Sequence, residues 1–118
     1  MINHKDLRIW KTISRKTILQ HNKFLTVENH VVKLPDGKVI SDWAWVTIPN
    51  AAIVLPVTKD GKFLCFRQIK YAIEGTSLAP VGGMLEPDEG PLDAAKRELL
   101  EEMGCTSSDW VSLGSYIL

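Results

Sequence analysis

The alternation of apolar and polar positions changes period once along the chain. As far as Gln68 the period is that of strands. Residues 9–20 are rich in Ile and Thr, and Phe24–Leu34 is a second run of the same kind. Pro35, Asp36, Gly37 and Lys38 supply turn chemistry before a third run, residues 39–48, because Pro fixes φ while Asp and Gly tolerate the reversal. Ala51–Thr58 is nearly continuously apolar, which predicts a strand buried on both faces. Lys59, Asp60 and Gly61 predict a hairpin turn, with Lys62–Gln68 as the return strand. Residues 1–70 therefore read as two antiparallel β units.

After Lys70 the pattern breaks. Residues 71–90 hold Gly75, Pro80, Gly82, Gly83, Pro87 and Gly90, which predicts a long loop of special backbone geometry. Then the period lengthens. Leu92, Ala95, Leu99 and Met103 recur at spacings of three, four and four, the core stripe of a helix. Pro91 suits its first position, where the missing N–H costs nothing, and Gly104 suits its C-terminal stop. Trp110–Leu118 reads as the start of another strand.

Composition narrows the class. At 118 residues the chain has room for one domain with one modest core. With 45% apolar and 24% charged residues it is not a disordered or low-complexity chain. Fourteen Lys and Arg match fourteen Asp and Glu, which argues against a globally basic nucleic-acid binder. The balance nonetheless hides segregation: residues 1–70 carry twelve basic and five acidic side chains, and residues 71–118 two basic and nine acidic.

Cys65 and Cys105 cannot build a disulfide framework and match no zinc spacing; Cys65, within Phe63–Phe66, reads as a small buried thiol. No apolar run is long enough to cross a bilayer, and the basic start, Met1–Lys16, precedes no signal-type apolar core. The expectation is a reduced, cytoplasmic protein with no membrane partner. His4, His21 and His30 match no ligand spacing and read as surface or strand-pairing positions.

The chemistry concentrates in Gly83–Cys105. Glu98, Glu101 and Glu102 fall within an arc of roughly 100° on the helix. Three carboxylates so placed repel one another, and they lie toward the helix C-terminus, the wrong end for negative charge. Such a cluster suits a hard divalent cation, Mg²⁺ or Mn²⁺. A solvated acidic face is the plainer account of the glutamates taken alone. Glu86, Asp88 and Glu89 add acids from the loop, and Arg97 is the strong cation placed to brace them.

The wider pattern is more specific: Gly83, five residues, Glu89, seven residues, then Arg97-Glu98-Leu99-x-Glu101-Glu102-x-Gly104 and Cys105. It resembles the signature of the Nudix hydrolases at every fixed position, with Cys105 in a slot that is usually aliphatic. Phe66–Tyr71, Pro80–Gly83 and the Trp10–Pro56 region look like the ADP-ribose and nucleoside-diphosphate-sugar pyrophosphatase branch. The resemblance implies an α+β architecture, the Nudix αβα-sandwich, C-terminally incomplete and preceded by an N-terminal antiparallel β unit. Residues 1–50 would be that unit, a dimerisation arm, and 51–118 a partial Nudix domain with its box at 83–105.

The resemblance also implies roles. Glu98 and Glu102 would be the principal metal ligands, Glu101 would hold a further metal or its water, and the Gly82 carbonyl would complete the coordination. Arg97 would pair with Glu89, and Gly82 and Gly83 would let the backbone pass close to the metal. The activity implied is Mg²⁺-dependent hydrolysis of a nucleoside diphosphate sugar, of ADP-ribose or ADP-glucose type, by a homodimer that exchanges N-terminal strands. Lys70 stands where relatives often carry a substrate-binding Arg; it attracts phosphate without the bidentate fork, and Arg67 is the neighbouring candidate. Ala79 stands where many relatives carry Glu. Trp43 and Trp45 share a strand face, and Trp45 is a candidate for stacking on adenine, with core or dimer packing the alternative. The chain stops one strand after the helix, short of the strands and second helix of this fold. A fragment of a longer enzyme, a layer supplied by another subunit, and a weakly catalytic or inactive nucleotide-binding module are the readings this leaves.

Overall fold

The computed structural model describes residues 9–118; His4 and the first eight residues of the basic start lie outside the described residues. The chain falls into two compact units, one ending at Pro49 and the other spanning Asn50–Leu118, where length alone predicted a single core.

In the N-terminal unit the three predicted runs form strands: β1 (Lys11–His21), β2 (Leu25–Lys33) and β3 (Val39–Thr47), an antiparallel sheet in that order. The Pro35–Lys38 turn closes as its residues suggest. Leu34 N–H donates to Lys38 O at 2.8 Å, and Lys38 N–H donates to the Asp36 carboxylate at 2.9 Å. Register sets Glu28 opposite Trp45 and His30 opposite Trp43. His30 is buried at 4% exposure, stacked on Trp45 at 5.3 Å, with its Nε2 2.9 Å from the Glu28 carboxylate. It is thus a strand-pairing histidine as read, but an interior one. Trp43 meets Trp10 edge-on at 5.2 Å.

The C-terminal unit is built on β4 (Ala51–Val54), β5 (Phe66–Gln68), β6 (Ser77–Ala79), β7 (Val81–Met84) and α1 (Pro91–Met103). β4 pairs with β7 and β5 with β6, both antiparallel. Its core is Ala52, Val54, Val81, Ala94, Ala95 and Leu99, with Phe66, Leu85, Met103, Cys105 and Trp110 packed against it. Cys105 therefore fills its usually aliphatic slot as an apolar side chain.

Several expectations are corrected here. β4 is buried on one face only: Ala52 and Val54 face α1, while Ala51 and Ile53 are exposed, because no described layer covers the second face. The Lys59–Gly61 turn forms, with Gly61 N–H donating to Thr58 O, but the return strand does not run on to Gln68. It holds a Val57–Phe63 bridge, and β5 then turns away to pair with β6. That leaves Cys65 exposed rather than buried. Residues 71–90 are not one loop but contain β6 and β7; glycines 82 and 83 lie in a strand. Trp110–Leu118 forms no strand, having no ladder partner among the described residues.

The helix starts at Pro91 and stops at Gly104, whose φ of 65° is the left-handed stop that glycine adopts without strain. Its buried stripe is rotated from the expected one. Leu92 is half exposed, and Ala94 and Glu98 are buried in its place. Small Ala94 allows close approach to the sheet, and Glu98 finds a cation there. No helix among the described residues is long and apolar enough to cross a membrane.

Candidate functional site

The site is assembled where α1 lies on β7 and the loop 85–90 joins them. Its centre is Arg97. The guanidinium offers five N–H donors, and all five are used. Nε donates to Glu89 Oε1 at 2.8 Å and Nη2 to Glu89 Oε2 at 2.9 Å, a bidentate pair. Nη1 donates to Glu98 Oε1 at 2.7 Å and to Glu101 Oε2 at 3.2 Å. Nη2 also donates to the Met84 carbonyl at 3.1 Å. One side chain thus joins β7, the loop and two helical glutamates.

Glu89 is fixed from two sides, since its Oε2 also accepts the Glu86 N–H at 2.9 Å. The Arg97 hydrogen bonds, and then the Glu86 amide, hold its carboxyl well below the usual range, at about 2. Arg97 is correspondingly pushed above its ordinary value by Glu89 and then Glu98. Glu102 turns to the strand, where its Oε2 accepts the Gly82 N–H at 3.0 Å. A side chain on Gly82 would meet Ala52 O at 2.6 Å, so the close approach that glycine permits at 82 is to β4.

Each of Glu98, Glu101 and Glu102 has one carboxylate oxygen with no protein donor among the described residues. Three such oxygens form a hard, anionic donor set whose chemistry fits Mg²⁺ or Mn²⁺. The side chains themselves are not gathered into a metal-holding group among the described residues: Glu98 and Glu101 lean on Arg97, and Glu102 on β7.

The other predicted residues lie on or beside other elements. Arg67, exposed on β5, donates to Thr76 Oγ1 at 3.3 Å. Lys70 is exposed just beyond that strand. Trp45 belongs to the N-terminal unit, where its Nε1–H donates to Thr47 Oγ1 and its ring covers His30. Three participants escaped sequence reasoning because they are backbone atoms: the Met84 carbonyl and the Gly82 and Glu86 amides. No residue type signals them.

This strand–loop–helix geometry carries the glutamates in the order of the Nudix signature, and the NUDIX domain profile matches residues 47–116; the chain belongs to that family. A second profile, the nucleoside diphosphate sugar hydrolase N-terminal domain, matches residues 10–46. Among curated proteins the chain is similar to the ADP-ribose pyrophosphatase of Bacillus subtilis (strain 168), 35% identical over 112 residues, covering 90% of this chain and 59% of that protein. It is also similar to the methanol dehydrogenase activator of Bacillus methanolicus, 30% identical over 103 residues, with 86% and 55% covered. The chain thus spans between 55% and 59% of the length of these relatives. The solved structure of an ADP compounds hydrolase shares the fold, with a TM-score of 0.67, 24% identity, and 89% of this chain and 56% of that chain covered.

Proposed function

We propose that the chain hydrolyses the pyrophosphate bond of a nucleoside diphosphate sugar, of ADP-ribose or ADP-glucose type, in a Mg²⁺-dependent reaction. The observation that carries this is the Arg97-centred cluster holding Glu89, Glu98 and Glu101 beside Glu102, inside a matched Nudix domain. Water adds across the P–O–P bridge: its hydroxyl joins one phosphorus, the bridging oxygen stays on the other, and a nucleoside monophosphate and a sugar phosphate leave.

Glu98, Glu101 and Glu102, with the Gly82 carbonyl, are the residues that would hold the metal. A bound divalent ion would neutralise phosphate oxygens and make its water more acidic. The chain's own part is orientation. Arg97, locked to Glu89, fixes where the Glu98 and Glu101 carboxylates point. Arg67 and Lys70 are proposed to attract the substrate's phosphates, as cations at the acidic unit's one basic segment. Within the N-terminal unit, Trp45 is proposed as a flat surface for the base. A reducing, cytoplasmic address is part of the same reading, since Cys65 and Cys105 are free thiols.

The test is chromatographic. With ADP-ribose and Mg²⁺ the protein is expected to release AMP and ribose phosphate, with chelator and Glu102→Gln each abolishing release. Equal turnover by wild type and Glu102→Gln would refute the assignment. A second reading, a nucleotide-binding module with little catalysis, draws on the engagement of Glu98 and Glu101 by Arg97. Its mark is saturable ADP-ribose binding without product after long incubation.

A further inference from the structure

We propose that Gly83 is a positioning residue for Glu98: the side chain it lacks is the seat that the carboxylate occupies. Gly83 shares a strand face with Val81, the fully buried residue of β7, so both point at α1. A Cβ built there would lie 2.8 Å from Glu98 Oε2 and would overlap Glu98 Oε1 and Cδ. The backbone does not itself call for glycine. Gly83 is in an ordinary extended strand, paired with Ala52, and is absent from the positive-φ glycines, which are residues 37, 61, 75, 104 and 114.

The carboxylate is held in the seat by Arg97, which donates to Glu98 Oε1 at 2.7 Å. Glu98 is only 9% exposed, so its carboxylate has little other room. A charged group this buried needs both a cation and a fitted space. Arg97 supplies the first and Gly83 the second. The consequence for chemistry is that one carboxylate oxygen of Glu98 is pre-aimed before any cation arrives. This last step rests on the metal-binding reading above; the seat itself does not.

The experiment separates the two. Thermal melts of wild type, Gly83→Ala, Glu98→Ala and Gly83→Ala/Glu98→Ala form one cycle. Gly83→Ala is expected to lower Tm in the wild-type chain and to cost little once Glu98 is truncated. An equal loss in both backgrounds would overturn the seat, and the cycle can be read even if Gly83→Ala alone unfolds. Mn²⁺ titration by calorimetry is the second arm. Gly83→Ala is expected to weaken Mn²⁺ binding roughly 10–100-fold, the range for partners that orient a ligand. Adding Gly83→Ala to Glu98→Gln should bring no further loss. Wild-type Mn²⁺ affinity in Gly83→Ala, or strictly additive losses, would overturn the positioning role. A wild-type chain that binds no Mn²⁺ would refute the metal reading while the melts still judge the seat.

Discussion

Arg97 shows why a conservative substitution need not be conservative. Its planar fork meets Glu89 with two parallel bonds and still reaches Glu98, Glu101 and the Met84 carbonyl. A lysine ammonium has three donors at one point and cannot span these acceptors. Arg97→Lys is therefore expected to lower Tm and weaken divalent-ion binding, with Arg97→Ala lowering Tm further; melting curves with and without Mn²⁺ check both. The Glu89 carboxyl gives the pH dependence. Its folded value of about 2 lies below its ordinary 4.5, so its contribution to stability is complete above that ordinary value. It is lost progressively as pH falls toward the folded value. Glu89→Gln should remove this part of the acid sensitivity, and urea midpoints across that window, compared between the two proteins, would show it.

Among the elements, α1 was the most legible in sequence. Its Pro91 start and Gly104 stop are local signals, and the helix ends where they place it. What the period missed was its rotation. Leu92 fits the stripe by spacing, yet the buried place goes to Glu98, because a carboxylate paired with Arg97 and facing a glycine can be interior. The strands of residues 9–48 were legible as three runs, the second and third joined by the Pro35–Lys38 turn. β6 and β7 were not, and β5, although within the predicted return strand, pairs with β6 instead of the Ala51–Thr58 run. Their pairing depends on partners 9 to 33 residues away, across stretches rich in Gly and Pro that read as loop. Two substitutions test the packing of the helix. Leu99→Ala, at 4% exposure, should cost about 2–5 kcal/mol. Leu100→Ala, on the outward side and 54% exposed, should cost less than about 1 kcal/mol. Denaturant unfolding distinguishes them.

At the scale of the whole molecule, the segregation of charge proved to follow the division into units only in part. The acids cluster on and beside α1, but Lys59, Lys62, Arg67 and Lys70 belong to the same unit as those acids. The site's acidic core could be read from one 23-residue spacing because the motif is local. Arg67, Lys70 and Trp45 could be named for substrate binding only by resemblance, and they stand as proposals. Apolar side chains are exposed on β1 and β3, among them Ile13, Ile18, Trp43 and Val46, and a homodimer is proposed to cover them. Sedimentation at micromolar concentration is expected to show the dimer, and a folded monomer alone would reject it.

The Glu86 amide lies in a loop, where an N–H ordinarily trades its hydrogen with solvent almost at once. Here it is closed by a carboxylate that is itself clamped by an arginine from the helix. Isotope exchange at this single position therefore reports on the clamp: it should be slow in the intact protein, fast after Arg97→Ala, and unchanged by Leu100→Ala. One loop amide becomes a timer for how often the helix, the loop and the strand let go of one another.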